Sequence, residues 1–292
     1  MSQRAVGALP IAALLGSMVS IQVGAALAQR LFPLVGAQGT TALRVTLAAL
    51  ILLLVHRPSL KGLAGAQLRT IGLYGVSLGA MNLLFYLSLR TVPLGVAVAV
   101  EFTGPLVVAA ASHRSRLDVL WLILAAAGLL ALAPIGPNLT GKGAVDPVGL
   151  LLALGAGLFW ALYILFGQKA GETGSGAATS LGMVAAALVV LPFGVAQAGA
   201  GLLQPSLLPI AISVAVLSSA LPYTLEMAAL TRLPRATFGT LMSLEPAAAA
   251  LAGWLMLGQT LTLRQELAIT AIIVASGGAA FSFVSGKASV QV

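Results

Sequence analysis

The sequence predicts an all-α integral membrane protein, in which ten transmembrane helices form two inverted five-helix repeats around a central cavity. The first observation is composition: the chain is 59% hydrophobic and 8% charged, whereas a soluble domain is about 25% charged. The second is length, because successive apolar segments reach the roughly 20 residues that a spanning helix needs. The third is that two proline pairs recur at one spacing in the two halves of the chain.

The apolar segments follow one another in two groups of five, with short loops between them. The predicted helices cover 8–28, 38–56, 70–89, 92–112, 117–135, 148–167, 176–197, 206–230, 234–257 and 265–285. The longest connection, 136–147, is rich in proline and glycine, which favour loops. It is therefore the predicted linker between a first repeat, 8–135, and a second repeat, 148–285.

The charges of the loops predict how the helices are oriented in the membrane. With a cytoplasmic N-terminus, the inside segments hold ten of the 15 Lys and Arg residues. The outside loops hold only Arg30, Arg90, Lys142 and Arg264. The remaining basic residue, Arg44, lies within the second helix. Because an excess of Lys and Arg marks the cytoplasmic side, both termini are predicted to be cytoplasmic.

Proline positions indicate that the two halves are related. Pro93 and Pro105 in the fourth helix match Pro234 and Pro246 in the ninth, each at an offset of 141 residues. Because each half has an odd number of helices, the second half enters the membrane from the face opposite to the first. The second repeat is therefore predicted to be inverted. Inverted repeats are typical of secondary transporters, whose site lies near the midplane. The alternative is that the two proline matches are chance coincidences in an apolar chain of low complexity.

Four ionisable residues lie within the predicted spans. Glu101 and Glu245 are each surrounded by a long apolar stretch, Arg44 lies in the second helix, and Glu226 lies near the cytoplasmic end of the eighth. Such residues cost several kcal/mol in a bilayer, and they usually face a cavity or a partner. Their presence in both halves predicts a polar pathway through the protein.

Polar and aromatic residues at similar depths complete the candidate site. The predicted substrate-binding residues are Glu101, Gln22, Asn82, Tyr86, Trp160, Tyr163, Tyr223, Thr240, Ser243 and Glu245. The candidates for an ion pair or for coupling are Arg44, Glu101 and Glu226.

Each ionisable residue also has a purely structural interpretation. Arg44 and a glutamate would form a buried ion pair that holds two helices together. Glu245 would cap or pair locally beside the proline that follows it. Glu226 is close enough to the interface to extend toward water or to pair with Arg232 or Arg235.

Pro105 and Pro246 are the predicted hinges. Proline cannot donate a backbone hydrogen bond, so it frees a carbonyl one turn earlier and can kink the helix. The freed carbonyls belong to Glu101 and Met242. Exposed backbone at membrane depth is tolerated where it lines a watery cavity. The fourth and ninth helices are therefore predicted to line the cavity and to bend.

Scarce residue types exclude several classes of protein. Cysteine is absent, which excludes disulfides and thiolate metal sites. His56 and His113 lie at span ends beside basic residues, so no histidine metal cluster is predicted. The net charge of +8 is scattered over short loops rather than gathered in one patch, which argues against a nucleic-acid partner. No catalytic cluster, cofactor or metal site is predicted, and the chain is not expected to be an enzyme.

Four strings of the sequence carry a resemblance to a known family. SIQVGAALAQRLFPLVGAQGTTALR (20–44), YGVSLGAMNLLFYLSLRTVPLGVAVAVEFTGPL (74–106), ALPYTLEMAALTRLP (220–234) and TFGTLMSLEPAAAA (237–250) resemble the EamA group of the drug/metabolite transporter superfamily. Within that group they are most similar to bacterial inner-membrane threonine/homoserine exporters. The resemblance implies two inverted five-helix repeats, a central cavity and amino acid export from the inner, or plasma, membrane. Related members export aromatic amino acids, so it also allows a broader substrate range.

A small neutral amino acid suits the polar residues of the predicted site. Its ammonium group needs a carboxylate, and its carboxylate needs donors such as Arg44 or Asn82. One alternative is a multidrug exporter of lipophilic cations from the same superfamily, which would also use a glutamate and aromatic walls. Another is a passive channel, which would show rings of pore-lining residues in a symmetric assembly. Because both repeats lie in one chain, a monomer working by alternating access is expected.

Overall fold

The computed structural model describes residues 8–59, 63–111, 116–132, 146–230, 232 and 241–288. Within these ranges the regular secondary structure is entirely helical. The helices are α1 (Ala8–Ala28), α2 (Phe32–His56), α3 (Gly65–Ser88), α4 (Leu94–Glu101), α5 (Thr103–Ala111), α6 (Arg116–Leu132), α7 (Pro147–Gly171), α8 (Ser175–Ala198), α9 (Leu208–Ala215), α10 (Leu221–Leu230), α11 (Glu245–Leu257) and α12 (Leu263–Ala288). Most of the predicted linker, 136–147, lies outside the described residues.

Five helical stretches are long and apolar enough to cross a membrane. They are Leu9–His56, which contains both α1 and α2, Gly65–Ser88, Pro147–Gly171, Ser175–Leu203 and Pro205–Ala229. Large apolar side chains such as Leu54, Leu158 and Leu188 are exposed on the outside of the bundle, where they would be stable only against lipid. These findings confirm the prediction of an all-α membrane protein.

Helices from the beginning of the chain pack mainly against helices from its end. The closely packed pairs are α1 with α10, α2 with α8, α3 with both α7 and α8, α4 with α11, and α6 with α12. In lipid no hydrophobic effect drives helices together, so close packing through small residues replaces it. The packing therefore joins the two predicted repeats into one bundle.

Two helices are interrupted beside the predicted hinges. In the fourth predicted span, α4 ends at Glu101 and α5 begins at Thr103, two residues before Pro105. In the ninth span, a turn at Ser243 and Leu244 precedes α11. Both interruptions fall where a proline leaves the carbonyl one turn earlier without its helical donor. The structure thus shows a break beside each proline.

The eighth predicted span, 206–230, is interrupted in a way that the sequence did not predict. A π-helical turn, Val216–Ala220, separates α9 from α10. Such turns are rare and often lie at functional sites, because the wider turn leaves carbonyl groups free to accept other donors. Here Ser20 of α1 donates to the Leu217 carbonyl over 2.7 Å.

Gly24 allows α1 to approach this π-helical turn closely. A Cβ atom at position 24 would lie 2.6 Å from both the backbone nitrogen and the Cβ of Ser218. Such a distance is a clash with backbone that cannot rotate away. Glycine is therefore required here by packing rather than by backbone conformation.

The Gly24→Ala substitution is expected to destabilise the protein by about 1–3 kcal/mol, which is the usual cost of overpacking a filled interior. Gly16→Ala is the matched control on the same helix, because a Cβ there would meet nothing within 4 Å. Since alanine is the better helix former, the control should leave the melting temperature unchanged or raise it. Thermal unfolding of both variants in detergent tests this, and equal melting temperatures would contradict the packing argument.

Candidate functional site

A buried cavity lies in the middle of the bundle, between residues of both predicted repeats. Its volume is about 40 Å³, which is room for a few waters. The lining residues are Ile21, Gln22 and Ala25 of α1, Arg44 of α2, Met81, Asn82, Phe85 and Tyr86 of α3, Val98 and Glu101 of α4, Trp160 and Tyr163 of α7, Tyr223 and Glu226 of α10, and Glu245 of α11.

Arg44 is the basic residue of this lining, and it is 1% exposed. Its Nη1 donates to the Ser218 carbonyl of the π-helical turn over 2.8 Å, and its Nη2 donates to Asn82 Oδ1. The guanidinium carbon lies 4.4 Å from the centre of the Tyr86 ring, a distance typical of a cation–π contact. Arg44 therefore links α2 to α3 and to the π-helical turn.

Asn82 connects Arg44 to the aromatic wall of the cavity. Its Nδ2 donates to the Leu78 carbonyl over 2.8 Å and lies 3.2 Å from the Tyr223 hydroxyl. This network joins α3 to α10. Together with the Ser218 carbonyl and the Tyr86 ring, it holds the guanidinium in place and leaves Nε without a partner.

Three carboxylates share the cavity with Arg44, and each is 6% exposed. Gln22 Nε2 donates to Glu245 Oε1 over 3.2 Å, and the Tyr163 hydroxyl lies 3.4 Å from Glu226 Oε1. Among the described residues, no basic side chain lies within the ion-pair distance of 4.0 Å from Glu101. In this conformation, the cation of the cavity contacts neutral groups rather than a carboxylate.

Glu226 is buried, and its described hydrogen-bond partner is Tyr163. Arg232 donates instead to the Ala228 carbonyl over 3.2 Å, and Arg235 lies outside the described residues. Glu245 is the first residue of α11, and its described partner is Gln22 on another helix rather than a neighbour in sequence.

Aromatic rings close the cavity on the side of α7. Phe102 and Trp160 meet edge to face at 5.4 Å between ring centres, and Tyr163 lies 6.2 Å from Tyr223. A Cβ at Gly157 would lie 2.6 Å from the Glu101 carbonyl oxygen. Glycine at this position lets α7 pack directly on the break after α4.

The structure brings most of the predicted site residues together. Eight of the ten predicted binding residues line the cavity: Glu101, Gln22, Asn82, Tyr86, Trp160, Tyr163, Tyr223 and Glu245. Arg44 and Glu226 line it as well. Ser243 is buried but is not part of this lining, and it lies beside Gly277 of α12. Thr240 lies outside the described residues.

The lining residues that sequence reasoning missed are apolar. They are Ile21, Ala25, Met81, Phe85 and Val98. Their types are the same as those of the lipid-facing residues, so composition gave no signal. Their spacing does give a signal, because each lies next to, or one helical turn from, one of the predicted residues Gln22, Asn82, Tyr86 and Glu101.

Comparison with known proteins places this cavity in a family of transporters. The EamA-like transporter family matches residues 147–281. The "Threonine/homoserine exporter RhtA" of Escherichia coli (strain K12) is 54% identical over 270 residues, which are 92% of this chain and 90% of that protein. The protein of the same name from Salmonella typhimurium (strain LT2) has the same identity and coverage. The chain therefore belongs to the EamA group of the drug/metabolite transporter superfamily, together with these exporters.

A solved crystal structure shares the fold. It has a TM-score of 0.61 and 18% sequence identity, and the match covers 95% of this chain and 98% of the other. At that identity the likeness concerns the arrangement of helices alone.

Proposed function

We propose that this chain is an inner-membrane exporter of small neutral amino acids of the threonine and homoserine kind, and that it works by alternating access. The observation that carries the proposal is the buried cavity, in which a guanidinium and three carboxylates lie among amide and aromatic side chains. A zwitterion needs both signs of charge within a few ångströms. The names of the relatives, threonine/homoserine exporters, point to the same substrates.

The narrow cavity supports a transport cycle rather than a permanently open path. Room for a few water molecules is less than an amino acid requires, so substrate entry must widen the cavity. A second candidate, the exporter of lipophilic cations, is disfavoured because such a substrate has no carboxylate to pair with the buried Arg44 of the cavity.

The pairing of helices supports the inverted repeat. If spans one to five are exchanged with spans six to ten, the pairs α2–α8, α4–α11 and α6–α12 map onto themselves. The pair α1–α10 becomes α3–α7, which also packs closely. This pairing pattern is expected if a pseudo-two-fold axis relates 8–135 to 148–285. The ten spans then form two inverted halves, with the site between them.

Hydrogen bonds tie the predicted outer ends of the repeats. Gln197 Oε1 of α8 accepts from the backbone N–H groups of Gln38 and Gly39 over 2.9 and 3.3 Å. Gln259 Oε1 accepts from the Leu94 N–H over 3.0 Å. These bonds use side chains from the second repeat to cap the turn of α2 that follows the kink at Gly36 and the first turn of α4. Opening the cavity outward would require them to break.

Asp146 provides a further tie at the same end. It accepts from the Thr91 hydroxyl over 2.8 Å and caps α7 through the Val148 and Gly149 N–H groups. These hydrogen bonds, that of Thr91 first, lower the pKa of the Asp146 carboxyl. The start of α7 is thereby held against the loop that precedes α4.

Cysteine labelling tests the proposed orientation, in which both termini are cytoplasmic. The chain has no cysteine, so a single introduced thiol reports one position. Gln204 and Glu172 are exposed at opposite ends of α8 and its following turns. An impermeant reagent added outside should label Gln204→Cys and not Glu172→Cys in intact cells. The reverse pattern would contradict the orientation.

Pro105→Ala and Pro246→Ala test the proposed hinges. Alanine restores an N–H that can donate to the carbonyl one turn earlier, so the broken helix would become more continuous and stiffer. We expect each variant to transport about three- to tenfold more slowly, a barrier change of roughly 0.6–1.4 kcal/mol, with an unchanged yield of folded protein. Pro192→Ala is the control, since Pro192 lies inside α8 and is exposed. Wild-type rates in both hinge variants would exclude the hinges.

Counterflow in liposomes tests the function itself. Purified monomeric protein is reconstituted with unlabelled threonine inside, and uptake of labelled amino acids from outside is followed. Threonine and homoserine should exchange with saturation, while aromatic amino acids define the breadth of the substrate range. Uptake that does not saturate would indicate a channel, and exchange of a lipophilic cation without threonine would indicate the multidrug alternative.

A further inference from the structure

We infer that the cavity holds its substrate in one orientation, with the ammonium group at Gln22 and Glu245 and the carboxylate at Arg44 and Tyr86. This assignment rests on the proposed function, because it concerns how that substrate is bound. It leaves Glu101 and Glu226 outside the binding of the amino acid head group.

The first basis is a pair of buried acceptor atoms without partners. Gln22 Oε1 and Glu245 Oε2 have no hydrogen bond in the structure, although both side chains are more than nine-tenths buried. The two residues are joined by the bond from Gln22 Nε2 to Glu245 Oε1, so their free oxygens lie on neighbouring groups. That bond also fixes which end of the amide is the oxygen, since a carboxylate needs the NH₂ as its donor.

Two unsatisfied oxygens on neighbouring groups call for a ligand that donates several hydrogen bonds. An ammonium group has three donors and no acceptor. The carboxylate would supply the opposite charge, and the amide oxygen a neutral acceptor. The free atoms of α1 and α11 therefore match the ammonium end of an amino acid.

The second basis is a pair of buried donors. Arg44 Nε and the Tyr86 hydroxyl have no hydrogen-bond partner, and both residues are 1% exposed. The other two nitrogens of the guanidinium each donate a hydrogen bond, to Ser218 and to Asn82, so Nε is the nitrogen that has no acceptor. The guanidinium lies over the Tyr86 ring, and both residues line the cavity. A carboxylate accepts from both kinds of donor.

The location of these atoms separates them from incidental unsatisfied groups. Other buried side-chain atoms without partners in the described residues belong to Gln29, Thr46, His56, Tyr74 and Ser219, none of which lines the cavity. The four atoms that belong to cavity-lining residues divide into acceptors from α1 and α11 and donors from α2 and α3. This division gives the substrate a direction.

Binding of three probes to matched variants tests the orientation. The probes are threonine, threoninamide at a pH where its amino group is protonated, and 3-hydroxybutanoate, which lacks the amino group. Each competes with labelled threonine on purified protein in detergent. Glu245→Gln removes the charge at the ammonium end, and Tyr86→Phe removes one donor at the carboxylate end while keeping the ring.

Glu245→Gln should lower the affinity for threonine and threoninamide at least tenfold and change the affinity for 3-hydroxybutanoate less than twofold. Tyr86→Phe should lower the affinity for threonine and 3-hydroxybutanoate at least threefold and leave the affinity for threoninamide unchanged. Gln22→Leu serves as a second variant at the ammonium end, should Glu245→Gln fail to fold. Thr46→Val is the control, because it removes an unsatisfied hydroxyl outside the cavity, and all three affinities should stay within twofold.

The orientation is wrong if each variant shows the pattern expected of the other, or if all three probes lose affinity equally. In both cases the wild-type protein would still bind threonine. The same conclusion follows if neither analogue competes and the cavity variants bind threonine as the wild type does. If the wild-type protein binds neither threonine nor homoserine, the proposed function itself fails. The two failures are therefore distinguishable in one experiment.

Discussion

Replacing Arg44 by methionine is expected to reduce threonine export at least 100-fold, which corresponds to about 2.7 kcal/mol of transition-state stabilisation. Arg44 is the basic residue of the cavity lining. Methionine keeps an unbranched apolar stem in place of the arginine's methylene chain but leaves three carboxylates without a nearby cation. It also removes the Arg44 donor of the Ser218 carbonyl and leaves Asn82 Oδ1 with the Tyr223 hydroxyl, 3.3 Å away, as its donor. Initial rates in proteoliposomes, divided by the amount of folded protein, measure the effect.

Arg44 also stabilises the fold, so stability must be measured beside transport. Hydrogen bonds to charged groups contribute roughly 1.5–3 kcal/mol each, and Arg44→Met should lower the melting temperature accordingly. Arg44→Lys separates the two effects, because lysine retains the charge but not the planar fork that bonds two acceptors and stacks on Tyr86. It should recover part of the stability and little of the transport. If Arg44→Met exports threonine at half the wild-type rate or more, Arg44 has no role in the site.

The spans could be predicted from the sequence because apolar length is a strong signal in a chain without a soluble surface. The prediction 8–28 agrees with α1, and 176–197 differs from α8, Ser175–Ala198, by one residue at each end. The helical stretch α2 begins at Phe32, before the predicted start at 38. The backbone at Gly36 is not helical, since it has a φ of 70°, which only glycine adopts at little cost. This kink separates a short first segment from the long helix, which starts close to the predicted residue.

The interruptions were predictable only where proline marks them. Pro105 and Pro246 pointed to the breaks near Phe102 and Ser243. The π-helical turn at Val216–Ala220 is followed by Pro222, whose missing N–H leaves the Ser218 carbonyl without a helical donor. Pro222 was not among the predicted hinges, and partners from other helices complete the turn. Ser20 and Arg44 donate to its carbonyl groups, and these partners are close only in the folded bundle.

The charged residues of the candidate site could be predicted because their desolvation cost makes them conspicuous in lipid. Which neutral residues accompany them could not, since depth in the membrane says nothing about the direction a side chain faces. Ser243 lies at the predicted depth but beside Gly277 rather than in the cavity lining. In spans that are apolar on every face, the helical period gives little help. The facing direction is set by packing between distant segments.

The Glu101→Gln substitution is expected to lower threonine export at least tenfold while leaving the protein folded. Glu101 lies at the C-terminal end of α4, where the helix dipole favours cations rather than carboxylates. Its side chain lines the cavity, and no described basic group lies within ion-pair distance. A carboxylate at this position costs free energy and has no structural partner. It is therefore suited to bind and release a cation, such as a proton, during transport.

The structural alternative makes a different forecast, so the two interpretations can be separated. If Glu101 formed a buried ion pair with Arg44, removing one partner would strand the other charge and cost about 3–5 kcal/mol. Glu101→Gln would then melt far below the wild type, and Glu101→Gln with Arg44→Met would recover stability. If Glu101 acts in coupling, the single variant keeps its melting temperature, and its transport loses its dependence on pH. Glutamine preserves the shape of the side chain, so packing does not confound the comparison. A stable variant with wild-type transport at every pH would exclude both roles for Glu101.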